Sequence, residues 1–88
     1  MSALMWVKRM AGKSFSSERF AKIINRLFSE GFVNVNGSIS QLANYTGYKA
    51  YYQIEEFADS NGHKVTLEFI KEFVNGVTYY HIKEVSVE

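Results

Sequence analysis

Residues 49–60, Lys-Ala-Tyr-Tyr-Gln-Ile-Glu-Glu-Phe-Ala-Asp-Ser, decide the fold because they fit both an α-helix and a β-strand. At helical spacing one side is apolar, formed by Tyr51, Ile54, Phe57 and Ala58. In a strand, alternation gives a mixed face formed by Tyr51, Gln53, Glu55 and Phe57. The cleaner apolar side favours a helix, which would leave Lys49, Ala50, Tyr52 and Gln53 facing outward.

The alternative keeps residues 49–58 extended. Tyrosines and a β-branched isoleucine in this piece favour a strand. Turns at Asn61-Gly62 and Asn75-Gly76 would then produce a three-stranded meander behind one long helix. Both interpretations stay open at this point, and they lead to different functional surfaces.

Upstream, residues 16–30 have the strongest helical pattern in the chain. The apolar face is formed by Phe20, Ile23, Ile24, Leu27 and Phe28. A basic stripe of Arg19, Lys22 and Arg26 lies on another face, and Gly31 supplies the C-terminal stop. Residues 2–11 fit a short helix ending at Gly12, and a strand fits them almost as well.

Between the helical pattern of residues 16–30 and the deciding stretch, residues 32–35 indicate a very short strand that ends in a turn at Asn36-Gly37. The order Ser38-Ile39-Ser40-Gln41 is that of a capping box, which predicts that a further helix begins here. Downstream, residues 63–73 alternate as a half-buried strand does. Asn75-Gly76 indicates a type I′ hairpin turn, and residues 77–87 supply the returning strand.

The order Gln41-Leu42-Ala43 followed by Thr46-Gly47 resembles the helix-turn-helix of bacterial and phage regulators. In that family a small residue lies where the helices cross, and a glycine four residues later forms the turn. Together with the hairpin, the chain is similar to the winged helix-turn-helix family over residues 16–87. Gln53 departs from the family, because an apolar residue usually occupies that position. The resemblance implies an α+β fold of three helices, a short strand and a C-terminal β-hairpin wing.

The resemblance also implies a DNA-binding surface, formed by Ser38, Ser40, Tyr48, Lys49, Ala50, Tyr52, Gln53, Lys64 and Asn75. Gln53 would read adenine through its amide, and Lys49 would pair with a phosphate or a guanine. The structural alternative is that tyrosines cover core edges and serines cap helices. Acidic residues on the same helix weaken the attraction for phosphate, so we expect a homodimer on double-stranded DNA. The expected dimer contact is formed by Leu4, Trp6, Val7 and Met10.

The 88 residues suffice for one domain, 16–88, with residues 1–15 as an N-terminal segment. Residues 1–49 carry seven Lys or Arg and two Glu, whereas residues 50–88 carry three Lys and seven acidic residues. The basic half suits nucleic acid, and the acidic half offers a surface for a protein partner. The lack of cysteine is compatible with a reducing cytoplasm. The N-terminal apolar run is too short for a membrane span.

The inventory for catalysis is poor. His63, His81 and the single aspartate Asp59 could converge, but no phosphate loop or metal-ligand spacing accompanies them. The sequence therefore predicts no enzyme, no metal and no cofactor. The expected function is that of a small DNA-binding regulator such as a repressor, an excision factor or a partition factor. The alternative is a non-catalytic protein-interaction module or a small phage-type inhibitor of a host factor.

Overall fold

The computed structural model describes residues 4–42 and 49–88 of the chain. In this part, two helices and five strands follow one another: α1 (Met5–Lys8), β1 (Ser14–Ser16), α2 (Ser17–Ser29), β2 (Val33–Gln41), β3 (Lys49–Ala58), β4 (Lys64–Val74) and β5 (Val77–Val87). The strands form one antiparallel sheet in the order β1-β5-β4-β3-β2. Both helices lie on the same face of this sheet. The opposite face is called the open face below.

The predicted three-helix winged helix-turn-helix fold is wrong, because the deciding stretch is strand β3. It pairs with β2 on one side and along its whole length with β4 on the other. This pairing satisfies backbone groups that a helix would have satisfied internally. The alternative meander of three strands, with the helix on one side, is confirmed for β3, β4 and β5.

The mixed face of β3 is accommodated by hydrogen bonds among its polar side chains. The Gln53 amide donates to Glu55 over 2.9 Å, and the Asn34 amide on β2 donates to the same carboxylate over 3.0 Å. Opposite Glu55 on β2 lies Gly37, where a Cβ would come within 2.7 Å of the Glu55 carboxylate. Gly37 thus leaves space for the charged side chain of Glu55, which had made a strand the less favoured interpretation of this stretch.

The helix predicted to begin at Ser38 is also wrong. Ser38 and Ser40 lie inside the nine-residue strand β2, opposite Ile54 and Tyr52 of β3. The short strand predicted for residues 32–35 is therefore the beginning of a longer one. Ala43 and Gly47, which carried the helix-turn-helix resemblance, lie outside the described residues.

Two elements follow the sequence pattern closely. Helix α2 begins at the cap residue Ser16, whose hydroxyl accepts a hydrogen bond from the Arg19 amide, and it ends before Gly31 with φ +91°. The β4–β5 hairpin turns at Asn75 and Gly76, with φ of 51° and 79°. These positive values at both central residues confirm the predicted type I′ turn.

The core lies between the helices and the sheet. Its fully buried side chains come from α1, α2 and β4, and they are Val7, Leu27, Val65, Leu67 and Phe69. The N-terminal segment is therefore part of the same core. Leu4 and Val7, which were expected to contact a second copy, are buried within their own chain and leave no free side chain for such a contact.

Candidate functional site

The residues expected to contact DNA are divided between the two faces of the sheet. Neighbours across the ladder share a face. Ser38, Ser40, Tyr52 and Lys64 belong to the open face by their register, whereas Lys49 and Gln53 belong to the helix side. Ala50 is also on the open-face side of β3, but it is fully buried and therefore does not face outward as predicted. Asn75 lies in the β4–β5 turn, and Tyr48 lies outside the described residues. The structure does not bring this set together into one surface.

The open face is acidic. Glu56, Glu68, Glu72 and Glu84 lie on it, and Glu88 is paired directly opposite Lys64 on the same face. Lys64 is drawn towards Glu56, with 3.8 Å between its Nζ and the carboxylate. A hydrogen bond to Glu68 raises the pKa of Tyr52, and burial and the negative charges of Glu68 and Glu84 act in the same direction. This face repels the phosphates of nucleic acid.

The opposite charge lies on the helical layer, which we define as residues 4–32. All of its Lys and Arg residues are exposed: Lys8, Arg9, Lys13, Arg19, Lys22 and Arg26. The same layer has two carboxylates, Glu18 and Glu30. The helical side of the molecule is therefore mainly positive and its open face mainly negative, with Lys13 and Lys83 beside Glu72 and His81 at the edge between them.

A groove of about 580 Å³, called the basic groove below, runs along the helical layer. It is lined by Trp6, Met10, Phe15, Glu18, Arg19, Lys22, Ile23 and Arg26. Residues of α1, β1 and the connecting segment supply an apolar floor, and α2 supplies the cations. The three cations, Arg19, Lys22 and Arg26, recur at a spacing of three and four residues, which places them on one side of α2.

Contacts between α1 and α2 fix the end of the basic groove. The Arg26 guanidinium lies 4.1 Å from the centre of the Trp6 ring, and its Nε is 3.2 Å from Glu30. The Trp6 indole also donates to Glu30 over 3.4 Å. Arg26 is thus held by a cation–π contact and an ion pair, whereas Lys22 points from the same helix with no such partner among the described residues. Trp6 and Met10, expected at a dimer contact, line this groove instead.

A second polar arrangement joins β1 to the sheet on the open face. Ser14 Oγ lies 2.6 Å from His81 Nδ1, and His81 Nε2 lies 2.9 Å from Glu72. This is the nucleophile, base and carboxylate order of a hydrolase. However, the amides of Gly12 and Ile82 beside it both donate to backbone carbonyls, so they are not free to stabilise an oxyanion. We assign the arrangement to holding the short strand β1 in place.

Asp59, His63 and His81, which the sequence left open as a cluster, do not converge on one site. The rings of the two histidines engage different acids, because His63 Nδ1 lies 2.9 Å from Asp59 while His81 binds Glu72. Within residues 4–42 and 49–88, no three acidic, histidine or cysteine side chains form a group that could hold a metal ion. Neither of the helices described has the length and apolar character needed to cross a membrane.

Comparison of the chain with protein-family models, curated proteins and solved structures gave no significant match. The sequence did indicate the basic stripe on α2, but it gave no reason to join that stripe to Trp6 and Phe15. Those two aromatic residues reach the groove through the packing of α1 and β1, which the spacing within α2 does not encode.

Proposed function

We propose that this chain is a non-catalytic module that binds nucleic acid through the basic groove. The observation that carries the proposal is the excess of six exposed cations over two carboxylates on the helical layer. Attraction between phosphates and Lys or Arg supplies most of the affinity of non-specific nucleic-acid binding. The acidic open face then orients the molecule, because its carboxylates repel the phosphates of the strand.

The floor of the groove favours a single strand over a duplex. Trp6, Phe15 and Ile23 offer apolar and aromatic surface beside the cations. An unpaired base can rest on such a surface while its phosphates meet the rim. A duplex keeps its bases stacked inside and offers only its backbone. We therefore expect single-stranded oligonucleotides to bind more tightly than duplexes of the same sequence.

Fluorescence of Trp6, the only tryptophan of the chain, tests this proposal directly. The chain is titrated at low salt with a single-stranded oligonucleotide, the matching duplex and polyglutamate. The comparison separates binding of unpaired bases, binding of a nucleic-acid backbone and attraction to negative charge alone. Binding in the order single strand, duplex, polyglutamate supports the proposal. Equal binding of polyglutamate and the single strand would show that only charge is recognised. No binding of the single strand at low salt would refute the proposal.

A protein-interaction module is the second candidate, and the acidic open face favours it. Glu68 and Glu84 lie directly opposite one another on β4 and β5, and such like-charged pairs cost stability. A basic surface of a partner protein would relieve this repulsion. Retention of the chain by a lysine-rich polypeptide, lost on replacing Glu68 and Glu84 by Gln, would support this candidate.

A further inference from the structure

We propose that strand β2 is a dimerisation edge at which two copies of this chain pair their β2 strands antiparallel and form one ten-stranded sheet. This interface is separate from the basic groove and does not rest on the proposed function. It also differs from the dimer contact expected at the N-terminal segment.

Strand β2 has the properties of an unprotected sheet edge. It is the last strand in the sheet order, and all nine of its residues are exposed. None of them is charged. Three are large and apolar: Val33, Val35 and Ile39, of which Ile39 is 58% exposed. Natural proteins usually protect such edges with charges, prolines or short strands, because free backbone groups recruit another strand.

The backbone register shows which groups are available. The Leu42 amide donates to the Ala50 carbonyl, so this is a hydrogen-bonded pair. Such pairs alternate along an antiparallel ladder. Ser38 and Ser40 therefore direct their backbone groups towards β3, and Gly37, Ile39 and Gln41 direct theirs outward. Towards the N-terminus of β2, the regular ladder ends at a bulge at residues 34–36.

These outward groups are self-complementary about Ile39. An antiparallel second copy centred there pairs Ile39 with its own equivalent and Gly37 with Gln41. Each facing pair exchanges two bonds, giving about six new backbone hydrogen bonds. The two isoleucines would then lie side by side on the helix side of the joined sheet. No charge opposes a like charge along the contact, since β2 has none.

The other edge of the sheet makes a poorer partner. Strand β1 is three residues long, and beyond it the edge is formed by β5, which carries the exposed charges Lys83 and Glu84. Pairing of β2 with that edge would also leave a free edge on every copy and would grow without closing. Pairing β2 with itself closes as a two-fold dimer. Its axis stands perpendicular to the sheet, so both helical layers face the same side.

The affinity of this dimer can be estimated from the area that its interface buries. One paired strand buries less than the roughly 800 Å² per partner of a standard specific interface, so we expect dissociation in the range of about 1–100 µM. Sedimentation of the full chain over this range should show monomer passing to dimer. A chain that stays monomeric throughout, or that forms ever larger oligomers, would overturn the proposal.

Two substitutions locate the interface. Ile39→Lys places like charges face to face at the two-fold axis and should produce a monomer, whereas Val77→Lys, at an exposed apolar position on β5, should leave the dimer intact. Thermal unfolding verifies that both variants fold. A dimeric Ile39→Lys variant would contradict the proposed interface.

Cross-linking gives an independent readout, because the chain has no cysteine. In a hydrogen-bonded antiparallel pair the Cα atoms are about 5.5 Å apart, which suits a disulfide. Ile39→Cys should therefore link two copies rapidly under mild oxidation, and Val77→Cys should not. Equal rates for the two variants would indicate random collision and would count against the dimer.

Discussion

Removing two cations from the basic groove should halve the salt dependence of nucleic-acid binding. The helical layer has six exposed cations and two carboxylates, Glu18 and Glu30, so a net excess of about four positive charges meets the phosphates. For single strands the logarithm of the binding constant falls with that of salt at about 0.7 per phosphate contact, a slope near −2.8 here. Raising salt from 50 to 200 mM should then weaken binding by about 50-fold.

The double variant Arg19→Gln, Lys22→Gln keeps about two contacts, so the same change of salt should weaken its binding by only about sevenfold. Anisotropy of a labelled oligonucleotide measures both slopes. The control is Lys64→Gln, Lys83→Gln, which removes the same charge from the sheet and should keep the parental slope. Equal slopes for the two double variants would refute the assignment of the binding surface to the groove.

Three further outcomes concern the fold. Leu27→Ala, in the core, should lower the free energy of unfolding by about 2–5 kcal/mol in a denaturant titration, and a loss below about 1 kcal/mol would contradict its burial. Burial opposes a lower pKa at Asp59, but hydrogen bonds from the His63 side chain and from the backbones of His63 and Asn61 outweigh it and lower the pKa below 3.8. The stability from this carboxylate should therefore be complete above pH 3.8 and fall as pH drops towards the lower folded pKa, and Asp59→Asn should flatten this part of the pH profile. Glu84→Gln removes the repulsion across β4 and β5 and should stabilise the chain by about 0.2–1 kcal/mol, whereas an unchanged or lower melting temperature would count against that repulsion.

The elements that the sequence predicts correctly are those with local causes. Helix α2 has its cap, its apolar face and its glycine stop within one segment, and the β4–β5 hairpin has Asn75 and Gly76 at positions that require positive φ. In both cases the interactions that define the element join residues close in sequence. The local sequence is therefore sufficient to predict these two elements.

Strands β2 and β3 are stabilised by contacts between residues that are distant in sequence. Glu55 appeared too polar for a strand, yet Asn34 binds it and Gly37 leaves space for it from the neighbouring strand. The Ser-Ile-Ser-Gln order of a capping box fits an exposed edge strand equally well once β3 supplies the pairing. Tertiary pairing thus overrides local propensity in both strands.

The candidate site divides in the same way. The cations Arg19, Lys22 and Arg26 were visible as a stripe, because their spacing on α2 is local. Their partner Trp6 was assigned to a dimer contact, since nothing in the sequence links it to Arg26 twenty positions later. The cation–π contact between them arises only when α1 packs beside α2.

Mapping of amide and indole NMR shifts during titration with a single-stranded oligonucleotide tests the central claim most directly. Binding in the basic groove should shift the Trp6 indole and the amides of Phe15, Arg19 and Lys22 first, while β3 changes little. Shifts concentrated on the open-face residues of β3 and β4, with the Trp6 indole unmoved, would contradict it.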